Sequence, residues 1–133
     1  MPAPWRWRRR TRRHERHPPP AHLAAETVCV AWLRLHGYRI IGRRLRTPVG
    51  EIDVVARRRH TLAIVEVKAR ADTRCALESV SARQRHRLVR AAQWLIAARP
   101  ELAALNIRFD VMAVAPWRIP HYVIDAWQPD DTR

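Results

Sequence analysis

Lys68 is the single lysine among 26 basic residues, and it closes the run Val65-Glu66-Val67-Lys68. Arginine presents a planar, permanently charged fork, whereas an ammonium is compact and strongly hydrated. A site that needs a small cation beside a water molecule therefore resists replacement by arginine. Glu66 stands two residues before Lys68, and Asp53 lies upstream in Gly50-Glu51-Ile52-Asp53. Phosphodiester hydrolysis at neutral pH needs charge neutralisation and an activated water. Carboxylate oxygens hold Mg2+ or Mn2+ through a few protein ligands and several retained waters. Such an ion polarises the phosphoryl group and lowers the pKa of a bound water. Asp53 and Glu66 on adjacent strands would converge on it, with the main-chain carbonyl of Val67 as a third ligand. Glu26 would complete the set from a preceding helix. Lys68 would orient the attacking water or stabilise the developing negative charge.

Each residue also has a plainer reading. Glu66 and Lys68 could form a strand-surface ion pair, worth little. Asp53 could pair with Arg57 or Arg70, and Glu26 could be a buried carboxylate bonded to an arginine such as Arg44. With 12 acids in 133 positions, an acid two residues before a randomly placed lysine arises about one time in ten. The tripeptide alone therefore decides nothing. The order helix acid, strand acid, strand Glu-x-Lys favours the functional reading. Glu51 either sits behind the ligands or only sets the turn after Gly50.

The elements that would position these groups follow from periodicity. A helix is expected from His22 to His36, stopped by Gly37 in a left-handed C-cap. It is apolar nearly all round, which predicts burial on several sides; Glu26 shares a face with Cys29, Val30 and Leu33. Strand-like runs follow at Tyr38–Arg46, Glu51–Arg57 and Thr61–Ala69. Thr47-Pro48-Val49-Gly50 and Arg58-Arg59-His60 turn between them, so the three should form an antiparallel meander. Period two places Glu51, Asp53 and Val55 on one face, and Leu62, Ile64, Glu66 and Lys68 on one face of the next strand. Ala63, Val65, Val67 and Ala69 cover the opposite face, so this strand should be buried on both sides. A polar loop precedes a long helix from Ser81 to about Arg99-Pro100, with an apolar stripe of Leu88, Ala91, Ala92, Leu95 and Ile96. Gln84 lies on that stripe. Two strands, Ile107–Ala115 and His121–Trp127, finish the domain.

The net charge of +14 draws polyanions, and nucleic acid, DNA above all, is the expected partner. Arg83, Arg87, Arg90 and Trp94 share a face of the long helix, either a phosphate-contacting surface or a solvated one; Arg44 and Arg70 are further candidates. Residues 1–20 carry seven arginines, five prolines and one acid. They read as a disordered basic arm, ahead of a domain over 21–128 and a short tail over 129–133. Cys29 and Cys75 make no disulfide framework and fit a reducing cytoplasm. No apolar run reaches bilayer-spanning length, so no membrane is expected.

The runs Gly50-Glu51-Ile52-Asp53-Val54-Val55-Ala56, Ile64-Val65-Glu66-Val67-Lys68-Ala69-Arg70 and Arg108-Phe109-Asp110-Val111 resemble the YraN-like family of bacterial proteins. That family is similar to the restriction-endonuclease-like, PD-(D/E)XK nucleases, and to archaeal Holliday junction resolvases in particular. The resemblance covers about residues 22–127. It implies an α/β, three-layer fold, a mixed central sheet flanked by helices in the core order α-β-β-β-α-β. It also implies that Glu26, Asp53, Glu66 and Lys68 match metal and catalytic positions. Arg44 stands where relatives have Asn, Gln84 where they have Lys, and Cys75-Ala76 where they tend to have Phe-Gly. Gln84 could still support the site by hydrogen bonding, while Asp110 reads as structural, paired with Arg108 or a helix arginine.

Three functions fit this reading. The first is a Mg2+- or Mn2+-dependent DNA endonuclease selecting structure rather than sequence, for which a homodimer would suit cutting two strands. The second is a nucleic-acid-binding protein of nuclease fold that acts without cleavage, beside a repair or recombination partner. The third is an interaction or RNA-associated role through exposed tryptophans such as Trp94, Trp117 and Trp127.

Overall fold

The computed structural model describes residues 21–129, and the basic arm over 1–20 lies outside the described residues. Helix α1 (Ala21–Leu35) leads into β1 (Arg39–Arg46), β2 (Glu51–Arg58) and β3 (Thr61–Lys68). Helices α2 (Thr73–Glu78) and α3 (Ala82–Ala98) and a 3-10 turn at Pro100–Leu102 then precede β4 (Asn106–Ala113) and β5 (His121–Trp127). The strands form one sheet in the order β1-β2-β3-β4-β5, parallel between β3 and β4 and antiparallel elsewhere.

This is the expected three-layer α/β arrangement, with a separate core on each face of the sheet. Ala25, Cys29, Val30 and Leu33 of α1 pack with Val54, Ala56, Ala63, Val65 and Val67. On the other face, Leu88, Ala91, Ala92 and Leu95 of α3 pack with Ile52, Val55, Leu62 and Ile64. Both faces of β3 are filled, and its residues 62–67 are buried, as its unbroken apolar text requires.

Helix ends follow local chemistry. Gly37 adopts φ +83° after α1, and Gly37 and Tyr38 donate their N–H groups to the carbonyls of Arg34 and Leu33. That double closure needs a residue tolerant of left-handed backbone, hence glycine. Ser81 caps α3 by accepting the Gln84 N–H.

Four expectations need correction. Helix α1 is buried along one face only: Val28 and Leu35 are exposed, because no second layer among the described residues lies outside it. The polar loop after β3 contains α2, capped by the Asp72 side chain accepting from the Arg74 N–H. Its single short turn leaves no helical period to read.

Strict alternation also fails in β2. Ile52 and Val55 belong to the α3-side core while Val54 belongs to the α1 side, so Asp53 does not simply share the Val55 face. The neighbouring β1 is irregular there, with a register shift between Ile40 and Gly42 and a left-handed φ of 45° at Arg44. Irregular strands break the period-two rule by re-aiming side chains. Finally, Trp127 is buried and stacks on Phe109, and Trp94 is half-buried; of the three tryptophans read as exposed, Trp117 is so.

Candidate functional site

The paired register of β2 and β3 runs from Arg58–Thr61 to Val54–Val65. Just beyond it, the Val67 N–H donates to Asp53 Oδ2 at 2.9 Å. A side-chain oxygen thus takes the place of a ladder carbonyl, and the acid is held in the sheet at 8% exposure. The N–H and C=O of a strand residue leave on the same side. The Val67 carbonyl therefore also faces the β2 side, where Asp53 stands.

Asp53 is met from α1 by Glu26 and His22. These three side chains bring one ligand-type atom each within 4.8 Å of one another. Glu26 is fully buried; its Oε1 accepts from Arg43 Nε at 3.4 Å and Arg44 Nε at 3.2 Å. Two successive arginines reach the same acid because the backbone of β1 is irregular at that point. Glu26 Oε2 has no hydrogen-bond partner among the described residues. A buried, charged oxygen without a partner is costly, and the oxygen is available to a cation.

From β3, Glu66 approaches with 5% exposure. Its Oε1 accepts from Gln84 Nε2 at 2.7 Å, reaching across from α3, and lies 3.3 Å from Lys68 Nζ. Burial, then the negative charge of Asp53, raise the Glu66 pKa to about 7 against the pull of Lys68. Burial, with Asp53 and Glu26 adding to it, likewise pushes the Cys29 thiol up to about 12. Cys29 therefore stays a neutral thiol, with Arg43 partly offsetting the two acids.

The four catalytic candidates are thus gathered around the ends of β2 and β3, with Asp53 between the α1 pair and the Glu66–Lys68–Gln84 group. Of the other candidates, Arg44 and Gln84 join the site through Glu26 and Glu66, and the rest are exposed. Glu51 is exposed and pairs with Arg46 at 3.5 Å. Arg70 is exposed and donates to the Ala69 carbonyl. Arg83, Arg87 and Arg90 are exposed on α3. The stem of Arg87 crosses Gly50, where a Cβ would lie 2.6 Å from Arg87 Cδ. A side chain at position 50 would have to displace that arginine from its path over the β1–β2 hairpin.

Asp110 is structural in its contacts. Arg108 binds it through Nε and Nη2, Tyr122 donates its hydroxyl to it, and the Asp125 N–H donates to Oδ1.

Sequence reasoning missed His22 and Arg43. His22 had a legible signal, since it lies four residues before Glu26 and so on the same helical face. Arg43 had none, because alternation sends it away from the side that Arg44 takes.

The profile of the uncharacterised protein family UPF0102 matches residues 25–114. The chain belongs to the UPF0102 family. It is 51% identical over 107 residues to a UPF0102 protein of Parvibaculum lavamentivorans, covering 80% of each chain. A UPF0102 protein of Paramagnetospirillum magneticum is 47% identical over 110 residues, 80% of this chain and 85% of the relative. One from Rhodopseudomonas palustris is 44% identical over 119 residues, 83% of this chain and 92% of the relative. The YraN-like resemblance read from the three motifs is the same assignment. The UPF0102 match runs from Ala25, within α1, through β4, and therefore covers every residue of the acidic site except His22. Among the described residues no helix is long and apolar enough to cross a membrane.

Proposed function

We propose that this chain is a divalent-metal-dependent endonuclease that hydrolyses phosphodiester bonds in DNA and selects structure over sequence. The observation that carries the reading is the buried Asp53–Glu26–Glu66 group with a single ammonium, Lys68, beside it. Carboxylates gathered at this density repel one another unless protonated or neutralised by a cation.

The donor set fits Mg2+ or Mn2+. Asp53, Glu26 and Glu66 supply hard oxygens, Glu26 Oε2 lacks a hydrogen-bond donor among the described residues, and the Val67 carbonyl faces the β2 side. Bound there, the ion would polarise the phosphoryl group and activate water. The chain's own groups would do the rest. Gln84 holds Glu66 by one oxygen, and Arg43 and Arg44 fix Glu26 from the solvent side. Lys68 offsets the charge that builds on the phosphate as the water oxygen attacks phosphorus and the P–O bond to the leaving sugar oxygen breaks. Arg83, Arg87 and Arg90 contact backbone phosphates, which position a duplex without reading its sequence and suit recognition by shape.

The kinship of the motifs to PD-(D/E)XK nucleases supports the same reading by analogy of fold, which alone would not fix an activity. The test is incubation of branched, single-stranded and duplex DNAs with the protein in Mg2+, Mn2+ or EDTA. Fragments in either metal and none in EDTA are expected. Binding without fragments in any metal would leave a nucleic-acid-binding protein of nuclease fold.

A further inference from the structure

We infer that His22 is a nitrogen ligand of the cation held by Glu26 and Asp53, and that it gives the site a preference for Mn2+ over Mg2+. This rests on the proposed metal site.

Position comes first. His22 and Glu26 are four residues apart on α1, so both project from one face toward Asp53. One donor atom of each of the three residues lies within 4.8 Å of the others, a spacing suited to sharing an ion. His22 Nε2 stands 3.4 Å from Asp53 Oδ2, the same distance at which Arg43 meets Glu26. A protonated imidazole would pair with the acid there, and a neutral one presents a nitrogen lone pair to an ion beside it. Asp53 Oδ2 already accepts the Val67 N–H at 2.9 Å, so the acid does not need histidine as its donor.

An independent observation points to a ligand. Glu26 is 0% exposed, and its Oε2 meets no hydrogen-bond donor although Oε1 meets two arginines. That carboxylate belongs to the same cluster. The His22 side chain is 46% exposed, so it forms the solvent-side rim through which an ion would enter.

Chemistry then sets the preference. Mg2+ takes oxygen ligands almost exclusively and releases its waters reluctantly. A transition-series cation gains from an imidazole nitrogen where Mg2+ gains little; Mn2+ stands at the weak end of that series, so its advantage over Mg2+ is modest. A site of carboxylates alone would discriminate less between the two ions.

The test uses the full chain and Mn2+ alone. Bound Mn2+ should show 14N modulation from a directly coordinated imidazole in pulsed EPR, and His22→Ala should abolish it. The same substitution should weaken Mn2+ affinity by about tenfold while changing Mg2+ affinity, measured by competition, by less than about threefold. Alanine is a good helix former at an exposed first-turn position, so α1 should survive.

Bound Mn2+ that is lost in Asp53→Asn, yet shows no 14N modulation, would overturn the His22 assignment and leave the metal site standing. Modulation that persists in His22→Ala would do the same. Absence of any Asp53-dependent Mn2+ binding would overturn both.

Discussion

The Val67 N–H donates to the Asp53 carboxylate at 2.9 Å, just past the point where the β2–β3 pairing stops. The acid is therefore both a structural acceptor and a candidate ligand, and the two roles separate by substitution. Asp53→Asn retains a carbonyl oxygen for Val67 and should stay folded while losing divalent-cation affinity. Asp53→Ala leaves a buried N–H unpaired and should cost about 1–3 kcal/mol. Denaturant unfolding and Mn2+ titration on the two variants check both halves.

Glu66 sets a pH dependence. Its folded pKa of about 7 lies above the ordinary 4.5, so the folded state binds a proton more tightly than the unfolded one. The stability this contributes is complete below pH 4.5 and is lost as pH rises through 7. Without metal, Glu66→Gln should remove that falling slope and raise Tm at pH 8 by roughly 4–8 °C, the equivalent of about 1 kcal/mol. Cation affinity should move the opposite way, strengthening as pH rises through about 7, because the ligand must shed its proton. Thermal melts and Mn2+ titrations between pH 5 and 8 measure the two trends.

Helix α3 offers a separate handle. Arg83, Arg87 and Arg90 are exposed, and the stem of Arg87 lies over Gly50. Neutralising one phosphate contact should lower the slope of log affinity against log salt by about 0.9 for duplex DNA. Alanine at each position should therefore weaken DNA binding across sequences alike and flatten the salt dependence. Unchanged slopes in all three variants would make this face a solvated one.

Much of this architecture was legible in the residues. The glycine stop after α1, the meander, the doubly buried β3 and the Ser81 cap each follow from local chemistry that tertiary contacts did not override. The acids were legible as types in order, because Glu26 sits on an apolar face and Asp53 and Glu66 interrupt aliphatic strands. What could not be read was the geometry at the irregular join of β1 and β2. There the backbone at Arg44 and the pairing shift at Ile40–Gly42 bring Arg43 and Arg44 to one acid and separate Asp53 from Val55. The partner of Asp110 was legible as Arg108, but the tyrosine hydroxyls around that pair come from Tyr38 and Tyr122, far apart in the chain. Burial of Trp127 against Phe109 likewise depends on a long-range strand pairing.

The most direct measurement of the central claim is single-turnover cleavage of branched DNA in Mn2+ by wild type, Lys68→Ala and Lys68→Arg, with DNA affinity measured in parallel. Lys68 is 3.3 Å from Glu66, and a compact ammonium is not replaced by a planar guanidinium. The account predicts metal-dependent cutting by wild type, a fall of about 100-fold or more in both variants, and DNA affinity nearly unchanged. Cutting that survives in Lys68→Ala, or tight DNA binding by wild type with no cutting in any metal, would contradict it.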